Sequence, residues 1–176
     1  MTRFAAVLLG AALAPLATAW AATGLEAPVK ATYLYKFVPF VEWPATAFAS
    51  PVQPVVLCVL GGDPFGAVLD KAVRGQKIGP RPIVVRRLAR AEKITGCHVL
   101  YLSNTHGPAA AAALQSAHGA PVLTVTDGAD SVGGVVNFVL RDNRVRFVID
   151  TQAAGANGLT ISSKLLSLAL DARAGR

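Results

Sequence analysis

Short apolar runs with no polar face, separated by segments of helical length, constrain this chain more than anything else in it. Val55–Leu60 is apolar at every position, and His98–Leu102 and Val122–Thr126 repeat that character at strand length. Such strands must be covered on both sides, which is the situation of a parallel sheet packed between helices. The segments between them suit crossover helices: Ala67–Val73 after the first run, and the alanine-rich Pro108–Ala117 after the second. Pro82–Arg87 reads as a further strand, and Leu88–Lys93 as a short helical or irregular piece. The pattern changes near the C-terminus, where Val135–Leu140 and Val145–Ile149 flank the polar tetrad Arg141-Asp142-Asn143-Arg144 as an antiparallel hairpin. The prediction is one α/β domain with a mixed, mostly parallel sheet, helices on both faces and a C-terminal antiparallel hairpin.

The ends of the domain are predicted to be helical. Val29, Tyr33, Phe37 and Val41 recur every four residues, with Leu34 and Val38 widening the stripe, so Pro28–Trp43 reads as an amphipathic helix whose last turn is disturbed by Pro39. Leu159–Ile161 reads as a short edge strand, and Ser162 or Ser163 caps a final helix reaching Asp171. In Gly61-Gly62-Asp63-Pro64-Phe65-Gly66, Asp63 suits a helix N-cap and Pro64 a first helical position.

The first 21 residues are of a different kind. Met1-Thr2-Arg3 is a short positive start, Phe4–Leu16 is apolar or small throughout, and Ala19-Trp20-Ala21 offers a small-x-small cleavage pattern, with Ala17-Thr18-Ala19 as a second. This is the pattern of a secretory signal peptide. The apolar run is shorter than the ~20 residues a membrane-crossing helix needs. Residues 22–176 are expected to form the exported domain, soluble and periplasmic.

Export changes the meaning of the charge and of the cysteines. The chain carries a formal +7, concentrated in Lys71, Arg74, Lys77, Arg81, Arg86, Arg87, Arg90 and Lys93. Outside the cytoplasm that balance points to acidic partners, anionic surfaces or a solvated face rather than to nucleic acid. Cys58 and Cys97 are the only two cysteines. In an oxidising compartment they can pair only with each other within a monomer, or remain as two buried thiols. Neither cysteine has the histidine company of a zinc site.

Catalytic signatures are weak. The glycine loop lacks the spacing of either nucleotide fingerprint. His98, His106 and His118 stand apart from any nucleophile-elbow motif, and Asp127 and Asp130 in a glycine-rich turn are explained by turn chemistry. No enzyme, cofactor or metal is expected. Tyr33, Tyr35, Phe37, Phe40 and Trp43 suit core packing for the most part and a partner surface for the remainder.

Five blocks, in order, resemble the YfiR family of periplasmic proteins. They are Lys30-Ala31-Thr32-Tyr33-Leu34-Tyr35-Lys36-Phe37 with Phe40-Val41-Glu42-Trp43-Pro44; Cys58 to Gly66, followed by Arg81-Pro82-Ile83-Val84-Val85; Gly96-Cys97-His98-Val99-Leu100; Val122 to Asp127; and Val145-Arg146-Phe147 through Gly158 to Leu166. The chain departs from the family pattern at Lys36 and Pro39, and it lacks a second cysteine pair. The resemblance implies a non-catalytic repressor that binds the periplasmic sensing domain of an inner-membrane diguanylate cyclase, keeping cyclic di-GMP and biofilm output low. It implies a Cys58–Cys97 disulfide with a redox link, a homodimer, and membrane association only through the partner. The expected contact surface includes Phe138, Phe147, Asp150 and Ile161. The alternative is a periplasmic small-molecule-binding module with a pocket at the strand carboxyl ends near Gly61, Ser103 and Asp127.

Overall fold

A computed structural model describes residues 24–91, 94–103, 108–128 and 133–173. The signal-peptide segment, Glu92, Lys93, His106 and Asp130 lie outside the described residues. The strands are β1 (Val41–Glu42), β2 (Val55–Leu60), β3 (Lys77–Ile78), β4 (Arg81–Leu88), β5 (Val99–Leu102), β6 (Leu123–Asp127), β7 (Val136–Arg141), β8 (Arg144–Asp150), β9 (Thr160–Ile161) and β10 (Asp171–Arg173). The helices are α1 (Glu26–Lys36), α2 (Ala67–Val73), α3 (Pro108–Ala117), α4 (Thr151–Ala156) and α5 (Ser163–Leu166).

Eight strands form one sheet in the order β10-β8-β7-β6-β5-β2-β4-β3, while β1 and β9 pair separately. The run from β4 through β2, β5 and β6 to β7 is parallel, and β7–β8 is the antiparallel hairpin. The expected fold class is therefore present: α/β, one domain, mixed and mostly parallel. The hairpin turns on Asp142 and Asn143, both at positive φ (51° and 57°), with Arg141 paired to Arg144. This is the two-residue turn whose twist matches the strands it joins, and Asp and Asn tolerate it well.

Successive residues of the central strands point to opposite faces. Leu57, Val59, Val99, Tyr101, Leu123 and Val125 join Ala31, Leu34, Phe37, Leu69 and Leu165 in the larger core, under α1, α2, α4 and α5. Cys58, Leu60, Leu100 and Leu102 join Ala113 and Ala117 of α3 in the smaller one. The all-apolar runs are thus read by two cores at once, which is why they have no polar face. Thr124 and Thr126, buried on β6, are satisfied locally. Thr124 Oγ1 accepts from Val135 N at 2.9 Å, and Thr126 Oγ1 donates to Val136 O at 3.3 Å.

Differences from the expected elements have local causes. The first helix ends at Lys36 rather than Trp43. Pro39 sits in a 3-10 turn at Val38–Phe40, and the chain then leaves as β1 to pair Val41 with Ile161. Proline removes the donor a continuing helix requires. Of the expected stripe, Leu34, Phe37, Val38 and Val41 are buried and Tyr33 is half-buried, but Val29 is exposed, and Lys30 and Ala31 are buried as well. Asp63 does not cap α2. Its Oδ1 accepts from Phe65 N at 2.8 Å, and the helix begins at Ala67 after Gly66, whose φ is +49°. The last helix stops at Leu166. Ser162 caps it as expected, but Leu168 and Leu170 are exposed and Leu170 N donates to Phe147 O at 2.9 Å, delivering the chain to β10 beside β8. Of the predicted edge strand Leu159–Ile161, Thr160–Ile161 forms β9, paired with β1 in a separate two-stranded sheet.

Replacing Leu34 by Ala, at full burial between α1 and the sheet, is expected to cost about 2–5 kcal/mol. Urea titration should show a lowered midpoint with an unchanged slope.

Candidate functional site

Three places in the fold concentrate chemistry: the strand carboxyl ends, the disulfide with its neighbours, and the face formed by α1 and the β7–β8 hairpin. The chain leaves β2 toward β4 on one side, and β5 lies on the other, so the carboxyl ends of β2 and β5 form the switch point where open α/β sheets usually bind ligands. Gly61 follows β2 at φ +92°, and a Cβ there would lie 2.8 Å from Ser103 Oγ, so the two loops are in close contact.

The polar groups nearby are engaged with one another. Lys30 Nζ, 6% exposed as a residue, donates to both carboxylate oxygens of Asp127 at 2.8 and 2.7 Å and also to Glu26. Tyr101 Oη donates to Asp127 Oδ2 at 2.7 Å. Burial, then the bond to Asp127, raises the Tyr101 phenol far above its ordinary range, so it stays a donor at all physiological pH. Asp63 is gripped by Arg87 at 2.6 Å, and Arg87 also reaches Asp70 at 2.9 Å. Burial alone would raise the Asp63 carboxyl, but the Arg87 guanidinium and the backbone N–H groups of Phe65 and Gly66 outweigh it and hold the group low. Gly61, Ser103 and Asp127 are thus brought together as expected, with Asp127 already closed by a lysine from α1. Among the described residues, no group of three His, Cys, Asp or Glu side chains could hold a metal ion.

Cys58 and Cys97 form a disulfide with their Cα atoms 5.8 Å apart, joining β2 to the loop that leads into β5. Arg86, the register partner of Cys58 on β4, donates to Thr95 O at 2.7 Å and approaches Cys97 Sγ at 3.0 Å. The next residue, His98, is buried with both ring nitrogens used. Nδ1 accepts from Val56 N at 3.0 Å, and Nε2 therefore carries the proton that faces Ala47 O at 3.0 Å. Phe48 stacks on the ring at 4.3 Å, and the Arg81 guanidinium covers the far side of Phe48 at 3.8 Å. Of the basic stretch, Arg81, Arg86 and Arg87 hold the structure together, while Lys71, Arg74, Lys77 and Arg90 are exposed.

The residues expected at a partner surface fall into two groups. Phe138 and Phe147 face each other across the hairpin and are buried, Phe138 in tilted and Phe147 in edge-on contact with Tyr33 of α1 and with Phe37 just after it, at centroid distances of 5.1–6.0 Å. They form the floor beneath the face shared by α1 and the hairpin. Asp150 caps α4, its Oδ1 accepting from Ala153 N at 2.8 Å, and Ile161 is buried opposite Val41. Lys30, Arg86 and His98 were not identified from the sequence as organising residues. The signal for Lys30 was its place four residues after Glu26, on the side of the helix that turns inward.

Comparison with known proteins decides the family. A family model described as YfiR/HmsC-like matches residues 27–170, the whole domain from α1 to the approach to β10. The chain belongs to this family. No curated protein matches the sequence. Among solved structures, the fold of this family member is similar to the ABC domain in complex with L-Trp from Streptococcus pneumonia, with a TM-score of 0.53 and 10% identity over 81% of this chain. The chain spans 62% of that structure's length, and the likeness is one of fold alone.

Two outcomes follow from these contacts. Burial, opposed by the bond to Ala47 and aided by Arg81 and Arg86, lowers the His98 pKa below its ordinary 6.5. A depressed histidine contributes stability that is complete above the unfolded value and is lost as pH falls from about 6.5 through the folded value. The urea midpoint should fall between pH 7 and pH 5, and His98→Gln, weaker at pH 7, should lack that step. Lys30→Met leaves the half-buried Asp127 carboxylate without its cation and is expected to cost about 1–3 kcal/mol. The further change Asp127→Asn in that background should cost much less, a coupling that a double-mutant cycle measures.

Proposed function

We propose that this YfiR/HmsC-like protein is a non-catalytic periplasmic regulator. In this reading it binds the periplasmic sensing domain of an inner-membrane diguanylate cyclase and represses cyclic di-GMP synthesis. The observation that carries the reading is the family match over residues 27–170. The Cys58–Cys97 disulfide suits an oxidising compartment, and among the described residues no helix is long and apolar enough to cross a membrane. At the strand carboxyl ends, where a substrate or small ligand would normally sit, the acidic groups are held by Lys30 and Arg87, and this favours a protein partner over a small molecule. The repressor acts by occupancy: bound, it holds the sensing domain in its inactive arrangement, and its release frees the cyclase and raises biofilm output. The disulfide keeps the repressor folded and therefore keeps the partner occupied.

Deletion of the gene is expected to raise cellular cyclic di-GMP several-fold, with wild-type complementation restoring it. The Cys58→Ser/Cys97→Ser variant should be less stable by about 2–4 kcal/mol and should complement incompletely. Unchanged cyclic di-GMP on deletion, under conditions in which the protein is made, would remove this reading.

A further inference from the structure

The apolar face of α1 is broader than the core requires. Leu34 and Ala31 turn inward, leaving Leu25, Val29 and Tyr33, at successive intervals of four, along an outer edge of the helix. Leu25 is 71% and Val29 38% exposed, and across from them on the hairpin Leu140 is 57% exposed. These side chains line two adjoining depressions. One of about 430 Å³ lies between α1 and the hairpin and is walled by Leu140, Arg144, Val145 and Arg146; the other, of about 450 Å³, lies along α1 toward Lys36. Leu25, Val29 and Tyr33 belong to both. Exposed apolar surface gathered into one concave strip is the mark of an interaction site rather than of scattered surface residues.

The rim is positive. Lys36, Arg141, Arg144 and Arg146 are exposed around the strip, with Asp142 the one exposed acid beside them, since Glu26 is drawn to Lys30. Among the described residues, no ion pair engages Arg141, Arg144 or Arg146. Tyr33, which lines both depressions, is backed by the buried rings of Phe37, Phe138 and Phe147.

We propose that this strip is a docking groove for an amphipathic helix of a partner protein whose apolar residues are flanked by aspartate or glutamate. From residue 25 to residue 33, α1 rises about 12 Å, so the occupant is a helix of two to three turns packing its apolar ridge between α1 and the hairpin. The charge selects its flanks. A second copy of this chain, meeting the strip about a two-fold axis, would set the arginine rim against itself. A planar anionic bilayer would touch only the crests and leave both depressions unfilled. An acidic helix satisfies the rim and fills the groove together. The proposal names the surface of the proposed function and rests on that reading only for the partner's identity.

The test is site-specific photocrosslinking in cells producing the full chain at native level, with p-benzoylphenylalanine at Val29 or Leu140 and, as the control position, at the exposed Val84 of β4. The adduct peptides are mapped by mass spectrometry. The expected result is an adduct at both groove positions, at least ten-fold above Val84, on a helical protein segment with apolar residues flanked by acids. Arg144→Glu/Arg146→Glu, checked for an unchanged urea midpoint, should lower its yield at least ten-fold. Adducts on lipid, on a second copy of this chain, or at the level of the Val84 control would overturn the proposal. An acidic helix belonging to something other than a cyclase would uphold the groove and sink the proposed function.

Discussion

Lys30 ties the N-terminal helix to the sheet, and much of the architecture follows from that tie. Its ammonium reaches Asp127 at the carboxyl end of β6, and the same carboxylate receives the Tyr101 hydroxyl from β5. Removing these charges from water is costly, and the attraction regained is worth it only when every oxygen is well placed. The geometry meets that condition, so the value of the cluster lies in orientation. With Lys30 pinned, α1 has one rotation: Ala31 and Leu34 face the core, Leu25 and Val29 face outward, and Tyr33 lies at the boundary against Phe138 and Phe147. The groove along α1 and the closing of the strand carboxyl ends are two consequences of one buried lysine.

The two faces of the sheet are unequally supported. The larger core is closed by α1, α2, α4 and α5, which bury Leu34, Leu69, Val73 and Leu165 along with Ala31 and Ala154. The smaller is covered by α3, whose buried residues are Ala110, Ala113 and Ala117, and by the irregular segment that runs from β4 to β5. Alanines bury little area, and area is what apolar burial converts into stability. Specific bonds take up the difference there. The disulfide, the Arg86 contacts to Thr95 and Cys97, and the two hydrogen bonds of His98 all hold that irregular segment or the loop beside it. Oxidation state and pH therefore act on the same face.

What was legible in the sequence was what periodicity encodes. Val55–Leu60 and Pro108–Ala117 were placed at their observed bounds, because a two-sided strand and an alanine-rich helix carry their own pattern. The hairpin was visible in Asp142-Asn143. What escaped notice depends on distant partners. β1 exists because Ile161 lies opposite Val41, and β10 because β8 offers an edge to Asp171–Arg173; neither short segment has a period of its own. The stripe of the first helix was right at Leu34, Phe37, Val38 and Val41 and missed at Val29, which is exposed, because the buried Lys30 depends on the distant Asp127. At the carboxyl end of β6, the ion pair of Asp127 with Lys30, 97 residues earlier, has no local signature.

The separation of the two faces bears on how the repressor proposed above would be released. The groove along α1 rests on the larger core, and the disulfide belongs to the smaller one, with the sheet between them. β2 carries the disulfide on one side and Leu57 and Val59 on the other, but the aromatic floor of the groove is built on β7 and β8, on the far side of β5 and β6 from β2. A close-packed sheet passes little displacement across that distance unless an element has two discrete arrangements. Reduction would therefore act through the population of folded protein rather than through a local rearrangement of the groove. The folded fraction of a disulfide-free chain would bind its partner with ordinary affinity, and release would scale with the loss of stability, so envelope stresses that share nothing except destabilising the smaller core would converge on one output.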